Sequence, residues 1–311
     1  MSTPVVPKLF QPIKVGQHWL GHRVVLAPLT RNRANKDHVH GDLAAEYYSQ
    51  RATLPGTLLI TEATFISPQA GGYDYVPGIW NDDQVAGWKR VTGGVHAKGS
   101  RIYCQLWTLG RTADPENLDK EGFPFINSGN KPMMEIQEYV EMYRHAARCA
   151  IKAGFDGIEI HSANGYLIDQ FLQDVCNNRA DGYGGSIENR CRFALEVVEA
   201  VTSTIGADRT GIRFSPWGEF QDMRMADPKP TFSYLVTRLA KLYPNLSYIH
   251  VVEPRVQGNM DREVHEGENN NFLREIWKPR PYIAAGGYTR ETAFEDADKY
   301  GDLIGFGRSF I

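Results

Sequence analysis

The chain has 311 residues, a formal net charge of -3 and four cysteines. This length suffices for one α/β barrel or two ordinary domains, and no Pro/Ser-rich linker, charge block or internal repeat divides the chain. The small, mixed-sign charge excludes an electrostatic surface for nucleic acid, and no apolar run reaches the roughly 20 residues that cross a bilayer. We therefore expect a single domain over residues 1–311 whose partner is a small molecule.

The N-terminus and the cysteines indicate a reducing compartment. Residues Met1 to Phe10 show no cationic stretch followed by an apolar run, so a secretory leader is not expected and the location should be cytoplasmic. The cysteines form no C-x-x-C pair and have no histidine at zinc-ligand spacing. We expect reduced, mostly structural thiols and no metal site. The four are Cys104, Cys149, Cys176 and Cys191.

Apolar runs bounded by turn residues alternate along the chain with helical patterns. The eight candidate strands are Val24–Leu29, Thr57–Ile66, Ile102–Trp107, Gly157–His161, Gly211–Ser215, Tyr248–Glu253, Tyr282–Gly286 and Leu303–Gly307. The helical stretches between them include Leu43–Ala52, Gln84–Ala97, Ile136–Ala153, Ile187–Ile205 and Phe232–Tyr243. This alternation predicts a (β/α)8 TIM barrel. A doubly wound sheet is the alternative, because periodicity does not distinguish a closed sheet from an open one.

A barrel places functional residues at the carboxyl ends of its strands. Glycines after the seventh and eighth strands let the backbone approach a ligand, and loops at these positions often hold a phosphate, to which Arg308 would add donors. The strands end in Pro28-Leu29-Thr30-Arg31, Glu62-Ala63-Thr64, Gln105-Leu106-Trp107, Arg213, Gly286-Gly287 and Gly307-Arg308.

The fourth strand is followed by three hydrogen-bonding side chains within six positions. The apolar run Phe155–Ile160 leads directly into His161, Asn164 and Tyr166. Such groups are costly to bury unpaired, so a cluster of them at a strand end indicates chemistry rather than packing.

Six motifs in order along the chain resemble the old yellow enzyme family of FMN-dependent ene-reductases, especially its fungal members. The resemblance covers nearly the whole chain. The motifs are Ala27-Pro28-Leu29-Thr30-Arg31, Gly71-Gly72-Tyr73, Gln105-Leu106-Trp107, His161-Ser162-Ala163-Asn164-Gly165-Tyr166, Tyr183-Gly184-Gly185-Ser186-Ile187-Glu188-Asn189-Arg190 and Gly305-Phe306-Gly307-Arg308.

The resemblance implies FMN across the top of the barrel, with its phosphate between the loops after strands seven and eight. Thr30 and Gln105 would hydrogen-bond the isoalloxazine edge, and Arg213 would place positive charge beside the ring. NADPH or NADH would bind transiently in the same pocket, and a monomer or a homodimer is expected. The implied flavin contacts are Pro28, Leu29, Thr30, Ala63, Gln105, Arg213, Gly286, Gly287, Gly307 and Arg308.

The resemblance also implies roles on the substrate side. His161 and Asn164 would bind the carbonyl or nitro oxygen of the substrate, Tyr166 would supply the proton, and Trp107 and Tyr73 would line the pocket. Two neutral donors on that oxygen would stabilise the charge that hydride addition to the β-carbon creates. The expected function is reduction of the activated C=C bond of α,β-unsaturated carbonyl or nitro compounds. A truncated barrel that binds flavin without turnover is the alternative. A Schiff-base lyase is disfavoured, because no lysine lies at the carboxyl end of a candidate strand.

The chain departs from the family pattern at two places. Phe123–Met134 is shorter than the usual excursion after strand three, and the sequence ends at Ile311, directly after strand eight. Without a last helix we expect Leu303, Ile304 and Phe306 to leave about 500 Å² of apolar surface exposed, worth about 12 kcal/mol. The barrel is therefore expected to be incomplete after strand eight.

Overall fold

A computed structural model describes residues 6–126, 128 and 136–310. Eight parallel strands pair in sequence order, and the ring closes because the eighth pairs with the first. This arrangement confirms the predicted barrel and excludes the doubly wound sheet. The strands are β1 (Val24–Leu26), β2 (Leu58–Ile60), β3 (Arg101–Trp107), β4 (Gly157–His161), β5 (Thr210–Phe214), β6 (Tyr248–Val252), β7 (Tyr282–Ala285) and β8 (Leu303–Phe306).

The helices surround the barrel, and the five longest predicted stretches are all helical, with bounds that differ by at most three residues. The helices are α1 (Asp42–Arg51), α2 (Asp82–His96), α3 (Pro115–Glu121), α4 (Ile136–Lys152), α5 (Leu167–Leu172), α6 (Ile187–Ile205), α7 (Lys229–Leu242), α8 (Asn271–Trp277) and α9 (Arg290–Tyr300). Among the described residues, none of these helices is long and apolar enough to cross a membrane. All four cysteines are free, in agreement with the predicted reduced thiols, and all four are buried.

The predicted second strand is interrupted after Ile60. The side-chain hydroxyl of Thr61 accepts a hydrogen bond from the Gln105 backbone N–H at 3.0 Å, which replaces a backbone pairing of the ladder. Pairing resumes with a short strand, Thr64–Phe65, beside Leu106 and Trp107. The interruption lies beside Gln105, at the level where the polar residues of the barrel begin.

The interior of the barrel is layered because alternate residues of each strand point inward. An apolar layer closes the amino-terminal end, and residues of a short antiparallel pair, Ile13–Val15 with His18–Leu20, pack into it. The carboxyl-terminal end of the barrel is left for function. The buried apolar layer consists of Val15, Leu20, Val25, Leu58, Ile60, Tyr103, Tyr248, Ile283 and Leu303.

The expected exposure of strand eight is wrong for two of its three apolar residues. Leu303 points into the barrel and Ile304 packs in the layer between strands and helices, so both are 0% exposed. Phe306 is half-buried. An apolar groove does lie beside β1, where Phe10 is 50% and Leu54 is 64% exposed. No helix follows β8 in the described part of the chain, and residues 127 and 129–134 of the predicted short excursion lie outside it.

Candidate functional site

A cleft with a volume of about 240 Å³ lies at the carboxyl ends of β1, β5, β6, β7 and β8. It exists because three inward positions hold only Ala27, Ala285 and Gly305, and a Cβ atom on Gly305 would lie 3.0 Å from that of Ala285. Seven of the ten predicted flavin contacts line the cleft, together with Asn164. The seven are Pro28, Leu29, Arg213, Gly286, Gly287, Gly307 and Arg308.

The other three predicted flavin contacts lie outside the lining of this cleft. Thr30 is exposed on the loop after β1. Ala63 is buried in a cluster with Trp107 beyond the end of β2, and Gln105 is buried within β3 at 1% exposure. All three nevertheless belong to the carboxyl-terminal end of the barrel.

The backbone after β7 lines the cleft with two glycines. Gly286 and Gly287 have φ of +116° and +61°, values that side chains with a Cβ rarely adopt. A Cβ on Gly286 would lie 2.5 Å from Val256 Cγ2. Arg255 donates to the Gly286 carbonyl at 2.7 Å, while its buried Nη2 has no hydrogen-bond partner among the described residues. Together with Arg308 on the rim, this turn suits an anionic group.

A polar wall faces the small residues across the barrel. Gln105 Nε2 donates to Glu159 Oε1 at 2.7 Å, and His250 Nδ1 lies 2.8 Å from Glu159 Oε2. Arg213 lies beside His161 and His250 in register, and its buried Nε has no partner in the described chain. The wall therefore offers an unsatisfied cationic donor to the cleft.

His161 has a defined tautomer. The Ala163 backbone N–H donates to Nδ1 at 3.3 Å, so the proton of the neutral ring is on Nε2. Burial lowers the pKa of His161 well below its usual value, and the positive charge of Arg213 lowers it further. The imidazole is therefore neutral near pH 7 and donates through Nε2.

The phenol of Tyr166 is held by two neighbouring rings. Its ring centroid lies 4.7 Å from that of Trp107 and 5.0 Å from that of His161, both in edge-on geometry. Burial raises the pKa of Tyr166 to about 12, although a hydrogen bond with Gln221 acts in the opposite direction. The hydroxyl therefore keeps its proton throughout the neutral range.

The turn between His161 and Tyr166 is fixed by buried side chains of α5 and by Ser215, which follows β5. Asn164 has φ of +56°, and its backbone N–H donates to Ser215 Oγ at 2.7 Å. Asp169 Oδ2 accepts from the Gly165 N–H at 2.9 Å, and Gln170 Nε2 donates to the Gly165 carbonyl at 2.8 Å. These contacts hold the three predicted catalytic side chains on one turn.

The two aromatic residues predicted to line the pocket, Trp107 and Tyr73, differ in burial and in their contacts. Trp107 is 2% exposed and stacks on Phe65, with ring centroids 5.1 Å apart. Tyr73 is half-buried, and its hydroxyl donates to the Thr112 carbonyl at 2.7 Å. The hydroxyl of Tyr73 is thus hydrogen-bonded within the protein, and its ring contacts Trp107 with centroids 5.9 Å apart.

Four residues of the site were missed from the sequence. Glu159 and His250 are charged or titratable residues inside otherwise apolar strands, a pattern that predicts a buried polar partner although not which one. Arg255 and Gln221 follow no local pattern. Gln221 lies in a loop with φ of +66°, and its carbonyl accepts from Arg111, so its place depends on the loop after β3.

Comparison with known proteins agrees with this geometry. The model of the NADH:flavin oxidoreductase / NADH oxidase family matches residues 8–311. Chanoclavine-I aldehyde reductase fgaOx3 of Penicillium roqueforti is 51% identical over 98% of this chain and 86% of its own length. Enoate reductase 1 of Kluyveromyces lactis is 42% identical over 97% of this chain and 84% of its own. The crystal structure of Old Yellow Enzyme from Pichia sp. AKU4542 superimposes with a TM-score of 0.89 at 39% identity, over 98% of this chain and 84% of that one.

The cleft fits the cofactor of that family. Its small inward residues leave room for a planar ring, and the turn at Gly286 and Gly287 suits a phosphate. Arg213 lines the same cleft, and its buried Nε has no hydrogen-bond partner among the residues that the structure describes. The chain belongs to the NADH:flavin oxidoreductase / NADH oxidase family and is an FMN-binding, NAD(P)H-dependent oxidoreductase of the old yellow enzyme type.

Proposed function

We propose that the protein reduces the activated C=C bond of α,β-unsaturated carbonyl or nitro compounds. FMN, when bound, would supply the hydride-transfer chemistry between NADPH or NADH and the β-carbon of the alkene. The protein's own residues bind the cofactor, hold the substrate oxygen and donate the second hydrogen as a proton. The name of one relative, an enoate reductase, supports this substrate class.

The cofactor would be held from both ends of the cleft. Arg308, Gly307 and the turn at Gly286 and Gly287 would bind the phosphate, because backbone N–H groups and a guanidinium are its preferred donors. Arg213 would lie beside the ring. The remaining proposed contacts are Pro28, Leu29, Thr30, Ala63 and Gln105.

His161 and Asn164 would bind the substrate oxygen. The Nε2–H of a neutral His161 is the donor that this role requires, and Asn164 lines the same cleft. As negative charge develops on the oxygen, the hydrogen bonds from such donors strengthen. One of these bonds typically stabilises the transition state by about 3 to 4 kcal/mol. The neutral ring also keeps its proton instead of transferring it.

Tyr166 would give its proton to the α-carbon. A phenol with a pKa of about 12 is fully protonated at pH 7, and its ring is fixed against Trp107. Trp107 and Tyr73 would exclude water from the substrate side. The observation that best supports the proposal is that a neutral donor, His161, and a protonated phenol, Tyr166, adjoin each other at the carboxyl-terminal end of β4.

Product analysis tests this proposal. The purified protein with FMN, NADPH and 2-cyclohexenone should give cyclohexanone, identified by mass and by NMR. An allylic alcohol would instead indicate carbonyl reduction, and absence of any product would favour the second candidate, a flavin-binding barrel without turnover. The apolar groove beside β1 is the observation behind that second candidate, since it leaves part of the barrel wall uncovered.

A further inference from the structure

Glu159 is a carboxylate inside the barrel for which the proposed reaction gives no role. It lies in the middle of β4 at 0% exposure, in register with Gln105 of β3 and Gly211 of β5. A buried carboxylate is costly unless it is fully hydrogen-bonded. The role of Glu159 is therefore inferred from the groups that it hydrogen-bonds.

Both oxygens of Glu159 have a partner, and each partner is thereby oriented. Oε1 accepts from Gln105 Nε2 at 2.7 Å, and Oε2 lies 2.8 Å from His250 Nδ1. A reversed Gln105 amide would place two acceptor oxygens at that short distance. The amide nitrogen of Gln105 must therefore face Glu159, and its carbonyl oxygen faces away as an acceptor.

The Glu159 side chain also contributes a negative charge to a site that contains Arg213. Burial alone would raise the pKa of Glu159, but His250, Arg213 and Gln105 together lower it. Burial lowers the pKa of His250, which outweighs the attraction of Glu159. In this part of the barrel the charges at neutral pH are thus one anion, Glu159, and one cation, Arg213.

We propose that Glu159 is a positioning residue of the FMN site, which orients the Gln105 amide with its oxygen toward the cofactor and offsets the charge of Arg213. Reduced flavin is more negative than oxidised flavin, so a fixed anion below the cleft disfavours the reduced form. Glu159 therefore lowers the reduction potential of bound FMN. The inference rests on FMN binding and not on the identity of the alkene substrate.

The variant Glu159→Gln tests the charge. It keeps the size of the side chain and an oxygen for Gln105, while His250 accommodates the new amide by changing its tautomer. We expect the potential to rise, with the preference for reduced over oxidised FMN increasing about tenfold, which is about 30 mV for a two-electron couple. The potential is measured by reductive titration with dithionite against a reference dye, which needs no substrate.

A matched control is available at the other end of the same strand. Asp156 is a carboxylate with a side chain 7% exposed, paired with His96 at 2.8 Å at the amino-terminal end of β4. Asp156→Asn removes a buried charge far from the cleft, so the potential should stay at that of the parent. Equal potentials for the parent and Glu159→Gln, or an equal rise in both variants, would overturn the inference.

A second pair of variants tests the positioning role, including the case in which Glu159→Gln does not retain FMN. Glu159→Asp keeps the charge but withdraws it from Gln105, so the potential should remain near the parent value while FMN binding weakens about tenfold. When Glu159→Asp is combined with Gln105→Leu, this weakening should disappear, because the amide that Glu159→Asp would disorient is absent. A loss of FMN affinity that is the same with and without Gln105 would overturn the positioning role. A lack of alkene reduction would leave both readouts intact and would count only against the proposed function.

Discussion

The ring of Tyr166 meets the ring of Trp107 edge-on, at 89° and with centroids 4.7 Å apart. This contact restricts the rotation of the phenol ring, and its hydroxyl is hydrogen-bonded with Gln221. The order of the residues explains it, because Trp107 ends β3 and Tyr166 precedes α5 on the neighbouring loop. A proton donor fixed by packing is what delivery to one face of an alkene requires.

Tyr166→Phe keeps that ring contact and removes the hydroxyl group with its proton. We expect alkene reduction to slow by about 10²- to 10⁴-fold, the usual contribution of a positioned general acid, while reduction of the flavin by NADPH keeps its rate. Stopped-flow absorbance measures the two half-reactions separately. Equal losses in both half-reactions would mean that Tyr166 is structural.

His161→Leu removes one donor to the substrate oxygen. We expect the alkene half-reaction to fall by about 3 to 4 kcal/mol in transition-state stabilisation, or roughly 10²- to 10³-fold. Because the pKa of His161 lies well below its ordinary value, the parent's rate should show no inflection from this group near pH 6.5. An inflection near pH 6.5 that is lost in the variant would show that the imidazole titrates there. That result would contradict the role of His161 as a neutral donor.

Asp169 should make stability depend on pH. Burial raises its pKa to about 7 from an unfolded value of about 3.9. Between these values the folded state holds a proton that the unfolded state has released, so the free energy of unfolding falls as pH rises from about 4 to 7, by at most about 1.4 kcal/mol per unit.

Asp169→Asn removes this titration. Urea unfolding at pH 5, 6, 7 and 8 should show the parent losing stability relative to the variant as pH rises to 7, with no further relative change above it. Parallel profiles for the two proteins would contradict the raised pKa of Asp169.

Arg308→Ala tests the proposed phosphate site. Arg308 is exposed, so the unfolding temperature of the FMN-free protein should not change. Hydrogen bonds to a charged group are worth about 1.5 to 3 kcal/mol, so FMN should bind about 10- to 150-fold more weakly. The exposed Arg290 at the start of α9 is the control, and Arg290→Ala should bind FMN like the parent. Equal affinities for Arg308→Ala and the parent would remove Arg308 from the site.

The barrel was predictable because its strands are buried on both faces and its longest helices are amphipathic. Gly157–His161 and Ile187–Ile205 match their predicted bounds, since each is delimited by turn residues. The second strand was predicted too long because the pairing broken at Thr61 depends on its side chain and on Gln105 of another strand. No local pattern indicates such a contact.

The site was predictable where its residues lie next to each other in the chain. His161, Asn164 and Tyr166 share one turn, and the glycines after β7 and β8 line the cleft that Asn164 also lines. The pair Glu159 and His250 was not, because these residues are 91 positions apart and meet only through the register of β4, β5 and β6. The contact of Gln221 with Tyr166 likewise depends on a loop with an uncommon backbone conformation.

An anaerobic titration of the FMN-loaded protein tests the proposed reaction most directly. NADPH should bleach the visible flavin absorbance, and 2-cyclohexenone added afterwards should restore it in the parent within the time of turnover but far more slowly in Tyr166→Phe. Bleaching without recovery in the parent would contradict alkene reduction at this site, and no bleaching at all would indicate a barrel that binds flavin without turnover.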